Sequence, residues 1–179
     1  MAAMLPIPSL AEPVVLSHPA LLRPEPIRLS GKPWGAPRFG LRAHVRADQV
    51  AVLEQICAAV KAVINRQWPD GKTPAQLRHP LQVEEEGSWF HAGAPAAEAP
   101  ELFHLNSAGD VTHGAKAIDV FDGAEALLGV EFVAYQPVPW AGGVDVLLRA
   151  VLLTGAGQRR GGTAAEAFTA AVRGIQSAA

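Results

Sequence analysis

The chain has 179 residues, of which 49% are hydrophobic, and its 15 Lys and Arg against 17 Asp and Glu give a formal net charge of −2. This length suits a single domain that buries its own core without disulfides or metal ions. The lone cysteine, Cys57, excludes an internal disulfide and favours a reducing, intracellular setting. No run reaches the ~18 apolar residues of a membrane span. The proline-broken N-terminus also lacks the basic region of a signal peptide, so we expect a soluble, cytoplasmic protein.

The net charge hides a strong asymmetry along the chain. Residues 1–80 carry ten Lys and Arg against five Asp and Glu, residues 81–145 carry one against eleven, and residues 146–179 carry four against one. A local basic surface indicates nucleic-acid binding more reliably than a basic total does. Solvated faces of different sign would give the same counts, so charge alone leaves both interpretations open.

The first elements are predicted to be strands. Residues 1–13 are expected to form a loose arm, and the first strand begins at residues 14–16. Proline removes a ladder donor and restricts the residue before it, so residues 19–29 are limited to short extended pieces. Residues 34–45 alternate in character, which predicts a strand with one buried and one basic face. The apolar positions are Phe39, Leu41, Ala43 and Val45, and the polar ones are Arg38, Arg42, His44 and Arg46.

Residues 48–68 change to a helical period. Apolar side chains recur every three or four residues and predict an amphipathic helix. They are Leu53, Ile56, Cys57, Val60, Val63 and Ile64. Asp48 is the expected N-cap, and the turn of residues 69–71 ends the helix. Cys57 and Trp68 are both assigned to packing in the core.

The middle of the chain is predicted to hold short strands between polar connections. A connector over residues 72–81 carries Lys72, Arg78 and His79, and Glu84, Glu85 and Glu86 form a charged turn. Short strands are expected at residues 88–90 and 102–106, with a further piece at residues 117–121. The run 93–100, which is rich in Ala and Pro, is expected to be a loop.

The stretch 129–154 is the strongest candidate for a β-hairpin. Two strand-like runs flank Gly142 and Gly143, which we expect to supply a turn with positive φ. The return run predicts one buried face, formed by Val144, Val146, Leu148, Ala150 and Leu152. Tyr135 and Trp140 make the hairpin a candidate stacking surface.

Beyond the hairpin, the sequence predicts a linker and a helix. Residues 155–162 are rich in glycine and carry Arg159 and Arg160. Residues 163–166 have the pattern of a capping box, and apolar residues then recur at helical spacing, so we expect a short helix over residues 163–179. The predicted organisation is therefore an arm (1–13), one domain (14–154), a linker (155–162) and a terminal helix.

Several short motifs follow one another in an order that resembles a known family. They are LSHPAL at residues 16–21, GKPW at 31–34, LRHPL at 77–81, LFHLN at 102–106, and the hairpin itself. Over residues 15–154 this order resembles phage and prophage single-stranded-DNA-binding proteins of the T7 type, which have an oligonucleotide/oligosaccharide-binding (OB) fold. The resemblance implies a mainly β protein with α structure. The expected architecture is an OB-fold-like five-stranded barrel, one long amphipathic helix inserted between strands and a short C-terminal helix.

The resemblance also implies a function. The protein would not be an enzyme, would need no cofactor, and would coat or protect single-stranded DNA during phage or mobile-element replication or recombination in the bacterial host cytoplasm. Single-stranded DNA is the expected partner, with a homodimer and replication or recombination proteins as further partners. OB barrels track phosphates with Lys and Arg and stack bases on aromatic rings. The candidate DNA-binding residues are Lys32, Trp34, Arg38, Phe39, Arg42, Lys72, Arg78, Trp89, Tyr135, Trp140, Arg159 and Arg160, with Phe90 as a further stacking candidate. For each aromatic residue, packing in the core is the alternative.

Two other classes of function are weighed against DNA binding. A metal site would have to draw on His91, His104, His113, Asp110 and Asp119, whose spacing matches no metal-binding motif, and no nucleophile stands beside a base. The other class is a structural or protein-interaction module, such as a virion component or an adaptor. In that case the acidic middle segment and the apolar run 146–153 would form subunit contacts.

Overall fold

A computed structural model describes residues 9–29, 32–115 and 119–157 of the chain. Within these ranges the protein forms one helix and a single sheet of nine strands. The elements are β1 (Val14–Leu29), β2 (Lys32–Arg46), α1 (Val50–Gln67), β3 (Gln76–Arg78), β4 (Gln82–Glu84), β5 (Gly87–Pro95), β6 (Glu101–Leu105), β7 (Val111–His113), β8 (Ala124–Val138) and β9 (Ala141–Gly157). The predicted mainly β fold with one long helix between strands is confirmed. The predicted C-terminal helix lies outside the described residues.

Five of the strands pair in a ring. β1 pairs antiparallel with β2 and with β8, β2 pairs with β5, and β8 pairs with β9. A parallel pair between Gly93 of β5 and Leu147 of β9 connects the two ends of this series. β3 lies parallel to the start of β9, and β4 lies antiparallel to the start of β5. The segment from β3 to β4 therefore joins the first residues of β9 to the first residues of β5.

Alternation along the strands builds the core. Phe39, Leu41, Ala43 and Val45 of β2 are buried, whereas the residues between them are half-buried or exposed. Phe90, Ala92 and Ala94 of β5 follow the same period, because successive side chains of a strand point to opposite faces. Val52, Ile56 and Val60 of α1 belong to the same apolar cluster. The predicted buried faces of β2 and α1 are confirmed.

The first strand is longer than the sequence suggested. Instead of short pieces over residues 19–29, one strand runs from Val14 to Leu29. Its pairing with β2 shifts register between Ser17 and Ala20 and twice more before Ile27. The three shifts span the positions of Pro19, Pro24 and Pro26. Local irregularities thus accommodate the prolines without ending the strand.

Two details of the helix differ from the prediction. The N-cap is Gln49 rather than Asp48, and within the described residues its side chain makes no capping hydrogen bond. Gln49 instead donates from Nε2 to the carbonyl oxygen of Pro13 at 2.7 Å, and Asp48 forms an ion pair with Arg46. Cys57 is exposed rather than buried. The buried stripe follows residues 52, 56 and 60, so position 57 falls beside it.

The hairpin turns at a different place from the one predicted. β8 ends at Val138, which lies opposite Ala141, so residues 139 and 140 form the turn. Gly142 and Gly143 lie within β9 and do not have positive φ. A Cβ on Gly142 would stand 2.7 Å from the carbonyl oxygen of Tyr135, and one on Gly143 would stand 2.7 Å from that of Arg78. The two glycines allow close approach of neighbouring backbones.

The buried face of β9 also changes phase. Val144, Val146 and Leu148 are buried as predicted, but burial continues at Val151 and Leu153 instead of Ala150 and Leu152. The register of β8 and β9 shifts here, since Gly129 pairs with Ala150 whereas Val130 pairs with Leu148. Arg149 is the extra residue, and a bulge of this kind reverses which side chains point inward.

The connecting segments are more ordered than predicted. Ser9 pairs with Gly129 and Leu10 is buried, so the described end of the predicted arm packs on the sheet. β5 reaches Pro95 within the expected loop, β7 was not predicted, and β9 extends into the expected linker as far as Gly157. The piece expected at residues 117–121 is not a strand over residues 119–121, and its first two residues lie outside the described ranges. No helix in the described part of the chain is long and apolar enough to cross a membrane.

Candidate nucleic-acid interface

One outward surface combines arginines with an aromatic ring. In the β2–β5 ladder Arg42 lies opposite His91, His44 opposite Trp89, and Arg38 opposite Pro95. The residues between them point into the core, so these side chains emerge together on the outer side of the sheet. We call this surface, formed by Arg38, Arg42, His44, Trp89 and His91, the β2–β5 face.

The centre of the β2–β5 face is a stack of Arg42 on Trp89. The guanidinium carbon of Arg42 lies 4.1 Å from the centroid of the indole ring, within the range of a cation–π contact. Trp89 Nε1 donates a hydrogen bond to Glu84 of β4 at 2.6 Å, and the ring of His91 meets the indole edge-on at 5.1 Å. Three neighbouring groups therefore fix the orientation of a half-buried ring on the outside of the sheet.

Arg38 lies further along the same strand, beside a glycine. A Cβ on Gly93 would stand 3.0 Å from a guanidinium nitrogen of Arg38, so the absence of a side chain at Gly93 makes room for this group. Arg38 remains exposed. At the other side of the face, His44 Nε2 and Ser17 Oγ form a hydrogen bond that connects β2 to β1.

The arginines differ in their acidic partners. Arg23, Arg46 and Arg149 form ion pairs with Asp or Glu. Among the residues that the structure describes, Arg38, Arg42 and Arg78 form none. Their positive charge is therefore available to an anion from outside, which is the requirement for binding a phosphate backbone.

Arg149 shows the contrasting environment. It donates to Glu131 at 2.7 Å and to Glu98 at 3.1 Å, and both carboxylates accept from the same guanidinium. The hydrogen bond to Glu131 raises the pKa of Arg149, Glu98 acts in the same direction, and partial burial opposes them. This guanidinium is already neutralised by the protein.

A second candidate region lies at the tip of the hairpin. An open cleft of about 300 Å³ is lined by Gln76, Leu77, Arg78, Tyr135, Pro137, Ala141 and Gly142. We call it the hairpin-tip cleft. Trp140 occupies the adjoining turn and is 62% exposed. Because Gly143 has no side chain, the Arg78 backbone and the Tyr135 hydroxyl both approach β9 closely at this point.

The structure thus divides the predicted DNA-binding residues into groups. Arg38, Arg42 and Trp89 meet on the β2–β5 face, and Arg78 and Tyr135 line the hairpin-tip cleft beside Trp140. Lys32 and Trp34 lie opposite Leu29 and Ile27 where the β1–β2 hairpin begins to pair, and Lys72 is exposed in the connection before β3. Arg159 and Arg160 lie outside the described residues.

Two of the predicted stacking residues face inward. Phe39 is only 6% exposed and Phe90 is fully buried, so both rings pack in the core and do not reach the surface. Their positions follow the alternation of β2 and β5. The aromatic residues available for stacking are the ones that alternate with the core or stand in a turn, as Trp89 and Trp140 do.

The structure also adds residues that sequence reasoning missed. Glu84, His91 and Gly93 shape the β2–β5 face, although none was proposed for it. The alternation of Trp89, His91 and Gly93 would have placed them together if β5 had been extended to Pro95. The contact of Glu84 depends on the pairing of β4 with β5 and has no sequence signal of its own.

The histidines considered for a metal site serve other contacts. His104 Nδ1 lies 2.7 Å from the carbonyl oxygen of Gly114, and the ring of His113 packs edge-on against Phe103. In residues 9–29, 32–115 and 119–157 no group of three His, Cys, Asp or Glu side chains could hold a metal ion.

Solved structures of phage proteins share this fold. The single-stranded DNA-binding protein from bacteriophage Enc34, in complex with ssDNA, superposes with a TM-score of 0.61 and 15% identity, over 84% of this chain and 87% of that one. The single-stranded DNA-binding protein encoded by bacteriophage T7 gives a TM-score of 0.59 and 12% identity, over 87% and 89%. No protein-family model and no curated protein matches the sequence. The chain therefore has the fold of phage single-stranded-DNA-binding proteins, as its motif order suggested.

Proposed function

We propose that this protein binds single-stranded DNA and coats or protects it during phage or mobile-element replication or recombination, without catalysing a reaction. The observation that carries the proposal is the β2–β5 face, where Arg38 and Arg42 have no acidic partner among the described residues and Trp89 stands beside them. Cationic groups next to an exposed ring are what a single strand requires, since its phosphates and its unpaired bases are both accessible.

We also propose that the ring of β1, β2, β5, β9 and β8 is an OB barrel. In that assignment β2 and β5 are the second and third barrel strands, and β8 and β9 are the fourth and fifth. OB folds bind oligonucleotides on the face of strands two and three and with the loops that join strands one to two and four to five. The corresponding surfaces here are the β2–β5 face, the β1–β2 connection and the turn that carries Trp140. The DNA-binding residues predicted from the sequence cluster at these three places.

The chemistry divides between backbone and bases. Arg38, Arg42 and Arg78 are proposed to contact phosphates, with Lys32, Lys72, Arg159 and Arg160 as further expected contacts. Trp89, Tyr135 and Trp140 are proposed to stack bases, and Trp34 is expected to do so from the β1–β2 hairpin. A duplex hides its bases inside the stack, so aromatic platforms favour single strands over double strands.

The setting and the partners follow from this proposal. We expect the protein to act in the cytoplasm of a bacterial host, where phage DNA is copied. A homodimer and contacts with replication or recombination proteins remain expectations. Measuring the mass of the purified protein with and without oligo-dT will test the first of them.

A salt titration of oligo-dT binding tests the function itself. We expect affinity to fall steeply with salt, because bound arginines and lysines release counterions from the strand. Trp140→Ala should weaken binding by roughly 1–3 kcal/mol if Trp140 stacks one base. It should leave the unfolding midpoint unchanged, since this side chain is 62% exposed. Trp140→Phe, which keeps an aromatic face, is the matched control. Absence of wild-type binding to oligo-dT at low salt would refute the proposed function.

A further inference from the structure

The indole of Trp89 is already occupied on the β2–β5 face. The Arg42 guanidinium covers one face of the ring at 4.1 Å, and Glu84 accepts the hydrogen bond of Nε1 at 2.6 Å. A base that stacks on the covered face must displace Arg42. Stacking on Trp89 and movement of Arg42 are therefore one event.

Arg42 is poorly satisfied where it lies. Its Nε atom is buried and has no hydrogen-bond partner within the described residues. Buried donors in folded proteins are as a rule hydrogen-bonded, so an unpaired one calls for an explanation. A guanidinium has five N–H donors in a fork that matches two phosphate oxygens. A phosphate beside the stack would offer Arg42 the partners that its present position does not.

We infer, on the basis of the proposed function, that Trp89, Arg42 and Glu84 form a subsite for one nucleotide of the single strand. The base stacks on the face of Trp89 that Arg42 covers in the free protein, and Arg42 turns to the phosphate of the same nucleotide. The cation–π contact is exchanged for base stacking, and the guanidinium gains a charged partner. No group loses an interaction without receiving another.

Glu84 is a positioning residue in this subsite. Its hydrogen bond to Nε1 keeps the indole in place when Arg42 leaves. Its carboxylate also repels phosphate, since like charges at short range disfavour each other. The backbone is thereby directed towards Arg42 and the base towards the ring. Glu84→Gln retains an acceptor for Nε1 without the charge, whereas Glu84→Ala removes both.

The experiment separates bases from backbone. Binding of oligo-dT is compared with binding of an abasic oligomer of the same length, and the ratio of the two affinities reports the contribution of the bases. Trp89→Ala should lower this ratio about fivefold or more, the effect of losing one stacked base. Arg42→Ala should weaken binding of both oligomers and leave the ratio at least as high as in the wild type, because the ring is already uncovered.

Controls fix the interpretation. Arg66→Ala removes an exposed arginine from α1 and should leave the affinity ratio unchanged. Trp89→Phe keeps a stacking face and should retain most of the ratio, which guards against misfolding of the alanine variant. With 5-fluorotryptophan incorporated, the ¹⁹F resonance of Trp89, identified by its loss in Trp89→Phe, should move on addition of oligo-dT. Glu84→Ala should broaden this resonance in the free protein and lower the ratio, whereas Glu84→Gln should do neither.

Two results would overturn the subsite while leaving DNA binding intact. One is an unchanged ratio in Trp89→Ala, which would mean that no base uses this ring. The other is an equal loss of the ratio in Arg42→Ala and Trp89→Ala, which would mean that Arg42 supports the ring and does not cover it. A wild-type protein that binds neither oligomer would instead refute the proposed function.

Discussion

Two outward faces of the same sheet carry arginine in opposite circumstances. On the β8–β9 side, Arg149 is held between Glu131 and Glu98 at hydrogen-bond distance. On the β2–β5 face, Arg42 lies against Trp89, and the structure shows no carboxylate paired with it in the described part of the chain. Both residues are half-buried, and both emerge from a long strand.

The difference shows that the partners of an arginine, more than its presence, indicate what it does. A guanidinium with two carboxylates is neutralised before any ligand arrives, and it joins β9 to β8 and to the chain after β5. A guanidinium stacked on a ring retains its charge for an external anion. The acidic segment 81–145 supplies the carboxylates for Arg149, so the charge asymmetry of the sequence is partly consumed within the fold.

Removing the unpaired arginines should have the largest effect. In the variant with Arg38→Gln and Arg42→Gln, we expect oligo-dT affinity to fall roughly a hundredfold at low salt, because two charged hydrogen bonds contribute about 1.5 kcal/mol each. The slope of log affinity against log salt should fall by about 1.4, since each contact to a single strand contributes about 0.7. Fluorescence titrations at several salt concentrations measure both quantities. A loss of equal size in Arg149→Gln would abolish the distinction between the faces.

Supplying Arg42 with a carboxylate should make the two faces alike. His91 lies opposite Arg42 in the ladder, so His91→Glu places an acidic side chain beside the guanidinium, as Glu131 lies beside Arg149. We expect about a fivefold loss of oligo-dT affinity, which corresponds to ~1 kcal/mol for a partly exposed ion pair. His91→Gln has similar size and no charge and serves as the control. Equal binding by His91→Glu and His91→Gln would show that Arg42 does not contact the strand.

The elements with strong local periodicity were predictable from the sequence. β2 alternates strictly and α1 repeats its apolar residues every three or four positions, so each pattern has one solution. Phe39 makes the same point in reverse. Its place on the apolar face of β2 already predicted burial, and its inclusion among the stacking residues was wrong because alternation decides where a strand side chain points.

Features that depend on distant pairing could not be obtained in this way. Gly142 and Gly143 suggested a turn, yet they are required because β3 and the end of β8 approach β9 too closely for a Cβ. The change of buried face at Arg149 arises from a bulge set by β8. Neither the parallel strand β3 nor the bulge leaves a pattern in the neighbouring residues.

The candidate site shows the same division. Arg38 and Arg42 were identified because both lie on one alternating strand. Their surroundings come from β4 and β5, more than 35 residues further along the chain, through the register that sets Arg42 opposite His91. Glu84 appeared to be one of three glutamates in a solvated turn, and only the pairing of β4 with β5 brings its carboxylate to the indole of Trp89.

Releasing Arg149 from its partners tests whether an unpaired arginine is sufficient for binding. The variant with Glu98→Gln and Glu131→Gln leaves this guanidinium without a carboxylate and removes two negative charges. Because no aromatic contact to Arg149 is seen in the described residues, we expect no more than about a twofold gain in oligo-dT affinity, from the general electrostatic attraction. The gain should disappear at high salt. A tenfold gain would show that pairing alone separates the two faces and that the ring is unimportant.

The smallest effect is expected on stability, from removing Arg149 itself. Arg149→Gln should lower the free energy of unfolding by about 1 kcal/mol or less, since the ion pairs are partly exposed, and added salt should reduce the difference. Pairing raises the pKa of Arg149, so its contribution is complete below the pKa of the unfolded chain and is lost only as pH rises through the higher folded value. Urea denaturation of both proteins should therefore give the same difference at neutral pH and at about pH 10. A difference that vanished on raising the pH over this interval would mean that Arg149 stabilises the β8–β9 face by packing with a titrating neighbour and not by its own charge.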